Sequence, residues 1–342
     1  MINKNEAYLI TDEKQRLYYT GYQSTDGYLV LGENFTYFVI DNRYFHAAQK
    51  LLTKKGVKVI LGSGYLPLKA IMEETGSTTL GIDFTKTGIS DYNTFTEMGY
   101  SLKDISCELK EAMTVKSSDD LKKIAKACVI AEKSLKKIMP LIREGIKERE
   151  LAAELEYRMK MLGASGTSFE TIVAFGENSA VPHHVTGETV LKKGMPVLID
   201  FGCIYKGFCS DMTRTFYYGK PTEEFKNAYE AVYKAHMTAA ENIIEGTECS
   251  VADGYARNVL KEYGMAEYFT HSLGHGIGVY IHEAPALSPK GQGVLRSKMV
   301  FSIEPGVYFN GKFGIRIEDS VTIEDGKVKS FMTFPKKLIT IK

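Results

Sequence analysis

The sequence lacks an excess of either charge: 43 Lys and Arg stand against 42 Asp and Glu, a formal net charge of +1, with no basic run. Displacing counterions from a nucleic acid or an anionic membrane needs a basic patch, so neither is expected as a partner. No apolar run reaches the roughly 18 residues that a membrane span requires. Residues 1–14 carry Glu6, Asp12 and Glu13 and hold no apolar stretch of signal-peptide length. A soluble, cytoplasmic protein is the expectation. Cysteine is sparse as well, and Cys107, Cys128, Cys203, Cys209 and Cys249 form no CxxC pair. Their odd number and wide scatter exclude a zinc knuckle or a disulfide scaffold. Reduced thiols are expected, with Cys203 and Cys209 acting as small buried apolar side chains.

What is present suffices for a large core: 44% of 342 residues are hydrophobic, which fits about two domains. Up to about residue 110, short β-branched and aromatic runs (27–31, 36–40, 57–61, 79–82) alternate with helical stretches such as 44–52, the pattern of an α/β domain. Segment 108–118 shows no period, and Ser118, Asp119 and Asp120 then open a helix with acid in its first turn. The boundary is placed there, giving domains 1–112 and 113–342. In the second, helices are expected at 118–135, 148–162, 222–244 and 251–263, the last three ending before Gly163, Gly246 and Gly264. Strands are expected at 196–201, 208–218, 300–303 and 315–323, an α+β domain with a mostly antiparallel sheet.

An internal echo adds to this element list. Leu191–Gly202 lines up with Leu295–Gly306, matching Leu, a base, Met, Ile, an acid and Gly in register. Gly207–Asp211 then matches Gly314–Glu318, each placing an acid four residues after a glycine. This reads as a duplicated half-domain that brings paired acids to a common centre.

Those acids sit in apolar surroundings: Asp200 in Val197-Leu-Ile-Asp-Phe, Glu304 in Phe301-Ser-Ile-Glu-Pro, Asp211 and Glu318 at the matching later positions. A buried carboxylate without a partner costs several kcal/mol or more. One alone could pair with Arg214 or Arg316; four on four strands call for metal. Histidines concentrate in the same half, with His183, His184, His271, His275 and His282 between 183 and 282. Gly274, Gly276 and Gly278 flank His275, which suits a backbone that approaches a ligand closely. The spacing is neither a dinucleotide fingerprint nor a P-loop. Four carboxylates and an imidazole suit two divalent ions, Mn²⁺, Co²⁺, Fe²⁺ or Zn²⁺, better than one structural zinc. Two such ions about 3.5 Å apart activate water and polarise a carbonyl, so a hydrolase is expected.

The blocks Asp200-Phe-Gly, Asp211-Met-Thr-Arg-Thr215, Gly274-His-Gly-Ile-Gly278, His282-Glu-Ala-Pro285, Ile303-Glu-Pro-Gly306 and Gly314-Ile-Arg-Ile-Glu-Asp319 resemble the signatures of the pita-bread-fold metallopeptidases, in the prolidase and aminopeptidase P branch. Asn42-Arg-Tyr44 resembles a block of the creatinase/prolidase N-terminal domain. The resemblance implies a pita-bread catalytic domain behind a smaller α/β domain, two divalent ions with Mn²⁺ first, and a homodimer. It implies Asp200, Asp211, His275, Glu304 and Glu318 as metal ligands, with Asp211 and Glu318 bridging. His183 and His282 take catalytic places, Glu304 doubles as proton shuttle, and His271 and Arg316 contact substrate.

The reaction so implied is hydrolysis of an Xaa-Pro bond by a bridging hydroxide. Prolidases of the family place an Arg after His-Glu-x-Pro to hold a dipeptide's carboxylate, and here that place is Ala286. This favours an Xaa-Pro aminopeptidase, with an Xaa-Pro dipeptidase as the alternative. A non-catalytic peptide-binding module would bind metal without turnover. A creatinase-like amidinohydrolase would have no use for five metal ligands.

Overall fold

The computed structural model describes residues 2–342, which fall into two compact units, the first ending at Met113 and the second spanning Thr114–Lys342. The first contains, in chain order, β1 (Glu6–Ile10), α1 (Glu13–Thr20), β2 (Tyr28–Leu31), β3 (Thr36–Ile40), α2 (Phe45–Leu52), β4 (Lys58–Leu61), α3 (Leu66–Thr75), β5 (Thr79–Ile82), α4 (Ile89–Glu97), β6 (Ser101–Asp104) and α5 (Ser106–Thr114). Its strands form a six-stranded mixed sheet in the order β4-β3-β2-β1-β5-β6. Alternate residues feed opposite faces, as the pleat requires. Ala7, Leu9, Val30 and Val39 pack with Leu68, Ile71 and Phe95, while Tyr8, Ile10, Leu29 and Phe38 pack with Ala48, Leu52 and Leu109.

Helix α5 corrects the expectation that segment 108–118 has no period. Ile105, Leu109 and Met113 recur every fourth residue and are all buried. The repeat begins at Ile105, ahead of the segment, and most of the intervening residues are polar.

The second unit continues with α6 (Ser118–Ile138), α7 (Glu148–Met161), β7 (Gly166–Thr167), β8 (Ile172–Phe175), β9 (Met195–Phe201), β10 (Cys203–Tyr205), β11 (Phe208–Cys209), β12 (Met212–Tyr218), α8 (Glu223–Asn242) and α9 (Cys249–Glu262). It ends with β13 (Gly274–Gly276), β14 (Glu283–Leu287), β15 (Val300–Ile303), β16 (Gly306–Phe309), β17 (Phe313–Arg316), β18 (Asp319–Glu324), β19 (Lys327–Ser330) and β20 (Thr340–Ile341). Ser117, one residue earlier than expected, caps α6: its Oγ accepts from Asp120 N, and the Asp120 carboxylate accepts from Ser117 N. Ile124, Cys128, Ala131 and Leu135 are its buried stripe. Helices α8 and α9 bury Phe225, Val232, Ala252 and Leu260 against Phe301, Ile315 and Val321 of the sheet region.

Two antiparallel hairpins organise the site. β9 pairs with β12 through seven residues, Asp200 opposite Thr213, and β15 pairs with β18, Ile303 opposite Asp319. The expected continuous strands 208–218 and 315–323 are each broken, into β11 and β12 and into β17 and β18. The breaks fall at Asp211 and Glu318. Each acid therefore stands just before its outgoing strand, where the chain is released from one ladder to turn a carboxylate inward.

Candidate active site

Both hairpins deliver two acids apiece. Asp200 is near the end of β9, and Asp211 just precedes β12. Glu304 follows β15, and Glu318 just precedes β18. The echo in the sequence is thus an echo in space. Asp211, Glu318 and His275 each offer a ligand atom, and these atoms all lie within 4.8 Å of one another. His275 Nε2 is 3.3 Å from Glu304 Oε1 and 3.5 Å from Asp211 Oδ2. Asp200 joins through Arg316, whose Nη2 donates to Asp200 Oδ2 at 2.5 Å.

The geometry is held by neighbours. Thr213 Oγ1 donates to Glu318 Oε2 at 2.6 Å, Ser302 Oγ donates to Glu304 Oε1 at 2.9 Å, and His275 N donates to Ser302 Oγ at 3.0 Å. Ser320 Oγ accepts from Asp211 N and donates to Asp211 O. Asp211, His275, Glu304 and Glu318 are thereby fixed by backbone or hydroxyl contacts, the kind of outer support found around metal sites.

The electrostatics are unbalanced. Burial, then the Glu318, Asp200 and Glu304 carboxylates, push Asp211 well above the usual carboxylate range. Burial, then Glu304 and Asp200, do the same to Glu318. Burial opposes ionisation of Glu304 too, but the His275 imidazole beside it brings its carboxyl down to about 2. His275 moves up, because Glu304 outweighs the burial that disfavours its charge. Asp200 Oδ1 and Glu318 Oε1 are buried with no hydrogen-bond partner among the described residues. Two orphaned carboxylate oxygens among four crowded acids fit a divalent cation, and the oxygen-rich set with one nitrogen suits a hard or borderline ion.

A cavity of about 890 Å³ opens over the cluster and is lined by His183, His271, His282 and Arg316 together with the acids. All the expected site residues therefore meet in one place. The Arg316 guanidinium, however, is spent within the protein: besides Asp200 it donates from Nε to Thr213 Oγ1 at 3.1 Å and from Nη1 to Tyr308 OH at 2.6 Å. It is 3% exposed and lines the cavity beside the acids, with these donors engaged within the protein. His271 is likewise engaged, Nδ1 with Ser272 O at 2.8 Å and Nε2 with Tyr308 OH at 2.9 Å. Burial holds its imidazole below the ordinary histidine value. His282 stacks edge-on against His275 with centroids 4.2 Å apart; burial and the neighbouring His275 lower it also.

The glycines around His275 do approach something closely, but it is protein. A β-carbon at Gly274 would lie 2.0 Å from Ser302 O, and one at Gly278 would lie 2.1 Å from Glu283 Oε1. Glu283 itself points inward to Lys116, both side chains nearly fully buried. Sequence reasoning passed over Thr213, Ser302, Tyr308 and Lys116. Thr213 and Tyr308 had a weak signal, standing two residues after Asp211 and four after Glu304. Lys116 had none. Cys203 and Cys209 are buried, as expected of small apolar side chains.

With this geometry established, relatives can be compared. Residues 122–325 match metallopeptidase family M24, and residues 3–113 match the creatinase/prolidase N-terminal domain. The chain belongs to family M24, a metallopeptidase of the pita-bread fold. It is 42% identical over 237 residues, 69% of this chain and 68% of the relative, to an Xaa-Pro dipeptidase of Pyrococcus horikoshii. Among solved structures, an Xaa-Pro dipeptidase from Bacillus anthracis superposes with a TM-score of 0.94 at 33% identity, covering 98% of this chain and 95% of that one. An X-Pro aminopeptidase from Thermotoga maritima superposes with a TM-score of 0.93 at 31% identity, covering 98% and 97%. No helix among the described residues is long and apolar enough to cross a membrane.

Proposed function

We propose that this metallopeptidase is an Xaa-Pro dipeptidase that uses two divalent ions, Mn²⁺ first, held by Asp200, Asp211, His275, Glu304 and Glu318. The supporting observation for the metal is the crowding of four acids around one imidazole, with Asp200 Oδ1 and Glu318 Oε1 left open. When bound, the ions would acidify water and polarise the scissile carbonyl. The cavity wall does the rest. His282, kept neutral by burial and by His275, is placed to donate a hydrogen bond to developing negative charge on the carbonyl oxygen. Glu304, beside the His275 imidazole, is the carboxylate that would carry a proton to the prolyl nitrogen. His183, at the open side of the cavity, faces the substrate. A prolyl nitrogen carries no N–H and its ring is fixed, so a cavity shaped for it selects a bond that general peptidases meet poorly.

The dipeptidase reading replaces the aminopeptidase expectation drawn from Ala286. What supports it is the relatives: the Pyrococcus and Bacillus proteins are both named Xaa-Pro dipeptidase, and the former shares the higher identity. A dipeptide carboxylate still needs a cation, and Arg316 is committed. The other arginine lining the cavity is Arg149, whose side chain is mostly exposed and paired only at the surface with Glu188. The Thermotoga relative keeps the aminopeptidase reading as the second one.

The test is a paired assay on Mn²⁺-loaded protein with an Xaa-Pro dipeptide, an Xaa-Pro-Yaa tripeptide and an Xaa-Ala control. Preference for the dipeptide is the expected result. Cleavage of the tripeptide alone restores the aminopeptidase reading, and no metal-dependent cleavage of any removes the peptidase assignment.

A further inference from the structure

His183 is on a turn, closed by His184 N donating to Val181 O at 3.1 Å, and a turn by itself is a poor platform for a group that must hold its place against substrate. Something outside the cavity fixes it. The residue responsible is Glu148, the first residue of α7, which is completely buried and belongs to no part of the metal cluster.

Its carboxylate gathers donors from both sides of His183. Oε1 accepts from Phe175 N and from Asn178 Nδ2, each at 2.8 Å. Oε2 accepts from Gly187 N at 3.0 Å and lies 3.0 Å from His184 Nε2. The chain before the turn is thus tied to one oxygen and the chain after it to the other. Backbone bonds tighten the same joint, Glu148 N donating to Thr189 O and Arg149 N to Gly187 O, each at 3.1 Å. On the cavity side, Pro182 O accepts from Arg316 Nη1 at 3.4 Å. The turn is held between the metal site's arginine and Glu148.

The chemistry calls for a carboxylate. Four donors converge on two oxygens, and only an ionised acid offers acceptor capacity on both. A buried negative charge at the first turn of a helix is also favoured by the helix dipole. His183 and His184 both line the cavity, and the His184 ring, 3.0 Å from Glu148 Oε2, anchors the turn from which His183 reaches it.

We infer that Glu148, acting through His184 and the 175–187 segment, is the positioning residue for His183 and thereby for substrate over the metal cluster. The inference rests on the proposed function, since it takes His183 to meet the peptide. Glu148→Gln keeps the shape but sets an NH₂ against either Gly187 N–H or Phe175 N–H, so the segment must shift. A displacement of about 1 Å at a reacting centre costs up to roughly 10²-fold.

A double-mutant cycle tests this with Glu148→Gln, His183→Ala and the pair, each Mn²⁺-loaded. The readouts are kcat/KM for an Xaa-Pro dipeptide and the inhibition constant of a phosphinic analogue of that dipeptide, which in a turnover-silent variant is replaced by its calorimetric affinity. Glu148→Gln should lose roughly tenfold to 10²-fold in the wild-type background and less than about twofold once His183 is gone, because coupled residues are non-additive. Metal content and melting temperature are measured alongside. His184→Ala carries the same test if Glu148→Gln does not fold. An equal penalty in both backgrounds overturns the inference and makes Glu148 a structural residue only. Wild-type protein that cleaves no Xaa-Pro dipeptide overturns the proposed function, and the inference falls with it.

Discussion

Arg316 Nη2 and Asp200 Oδ2 meet at 2.5 Å, with both side chains nearly fully buried. The same guanidinium reaches Thr213 Oγ1 and Tyr308 OH, so one planar group holds the Asp200 carboxylate by one oxygen and leaves Oδ1 open. Lysine, a single point charge on a flexible stem, cannot span three partners.

Arg316→Lys should therefore weaken metal binding or activity by about 10-fold to 10²-fold, the usual effect of removing a partner of a metal ligand. Calorimetric Mn²⁺ titration of the stripped variant checks this. Unchanged Mn²⁺ affinity with a raised KM would instead return Arg316 to the substrate.

Arg149→Ala should raise KM for an Xaa-Pro dipeptide by roughly tenfold or more, the size of a lost charge-assisted hydrogen bond. It should leave an Xaa-Pro-Yaa tripeptide, whose terminal carboxylate lies one residue further along, within about twofold. Steady-state kinetics on both substrates decide it. Equal losses on both would show that Arg149 merely shapes the cavity mouth.

Chelation should abolish hydrolysis and also lower the melting temperature. Four acids that repel one another gain from a cation that binds only the folded chain, about 2.7 kcal/mol at a hundredfold excess over Kd. Melting scans with and without Mn²⁺ measure the shift. A chelated sample that melts at the loaded temperature would argue against binding at this cluster.

His236 gives a pH signature away from the cavity. Both ring nitrogens are buried without a partner among the described residues. Burial pulls its pKa from 6.5 to about 4, reinforced by Lys336 and Arg214 and opposed by Asp319. The folded state therefore binds this proton less readily than the unfolded chain does. The stabilising contribution is complete above about pH 6.5 and disappears as pH falls toward 4, on the order of 3 kcal/mol in all. His236→Leu should flatten the fall in stability between pH 7 and pH 5, read from denaturant midpoints. A variant with the wild-type acid dependence would place the loss at other groups.

How much of this was legible in the sequence follows from how local each signal is. The acids showed because a carboxylate in an apolar run such as Val197–Phe201 is costly wherever it folds, and the repeat at 191 and 295 told that the costs were paired. Helix periods of 3.6 marked α6 to α9 within a few residues. The breaks at Asp211 and Glu318 were not legible, since strand propensity continues through them and only cross-strand pairing reveals where a ladder ends. Arg316 was read as a substrate contact because its commitment to Asp200 spans 116 residues of chain. Lys116 and Glu148 were invisible for the same reason: their partners, Glu283 and the 175–187 segment, are close only in the folded chain.

Gly274 abuts Ser302 so closely that a β-carbon there would sit 2.0 Å from the carbonyl oxygen, and Ser302 Oγ bonds both His275 N and Glu304 Oε1. One hydroxyl thus joins the backbone that carries the His275 imidazole to the Glu304 carboxylate, so a shift of β13 is transmitted to that acid. With no room for a side chain at Gly274, the two strands stay in van der Waals contact beneath the acids, and the spacing of His275 and Glu304 is inherited from that contact.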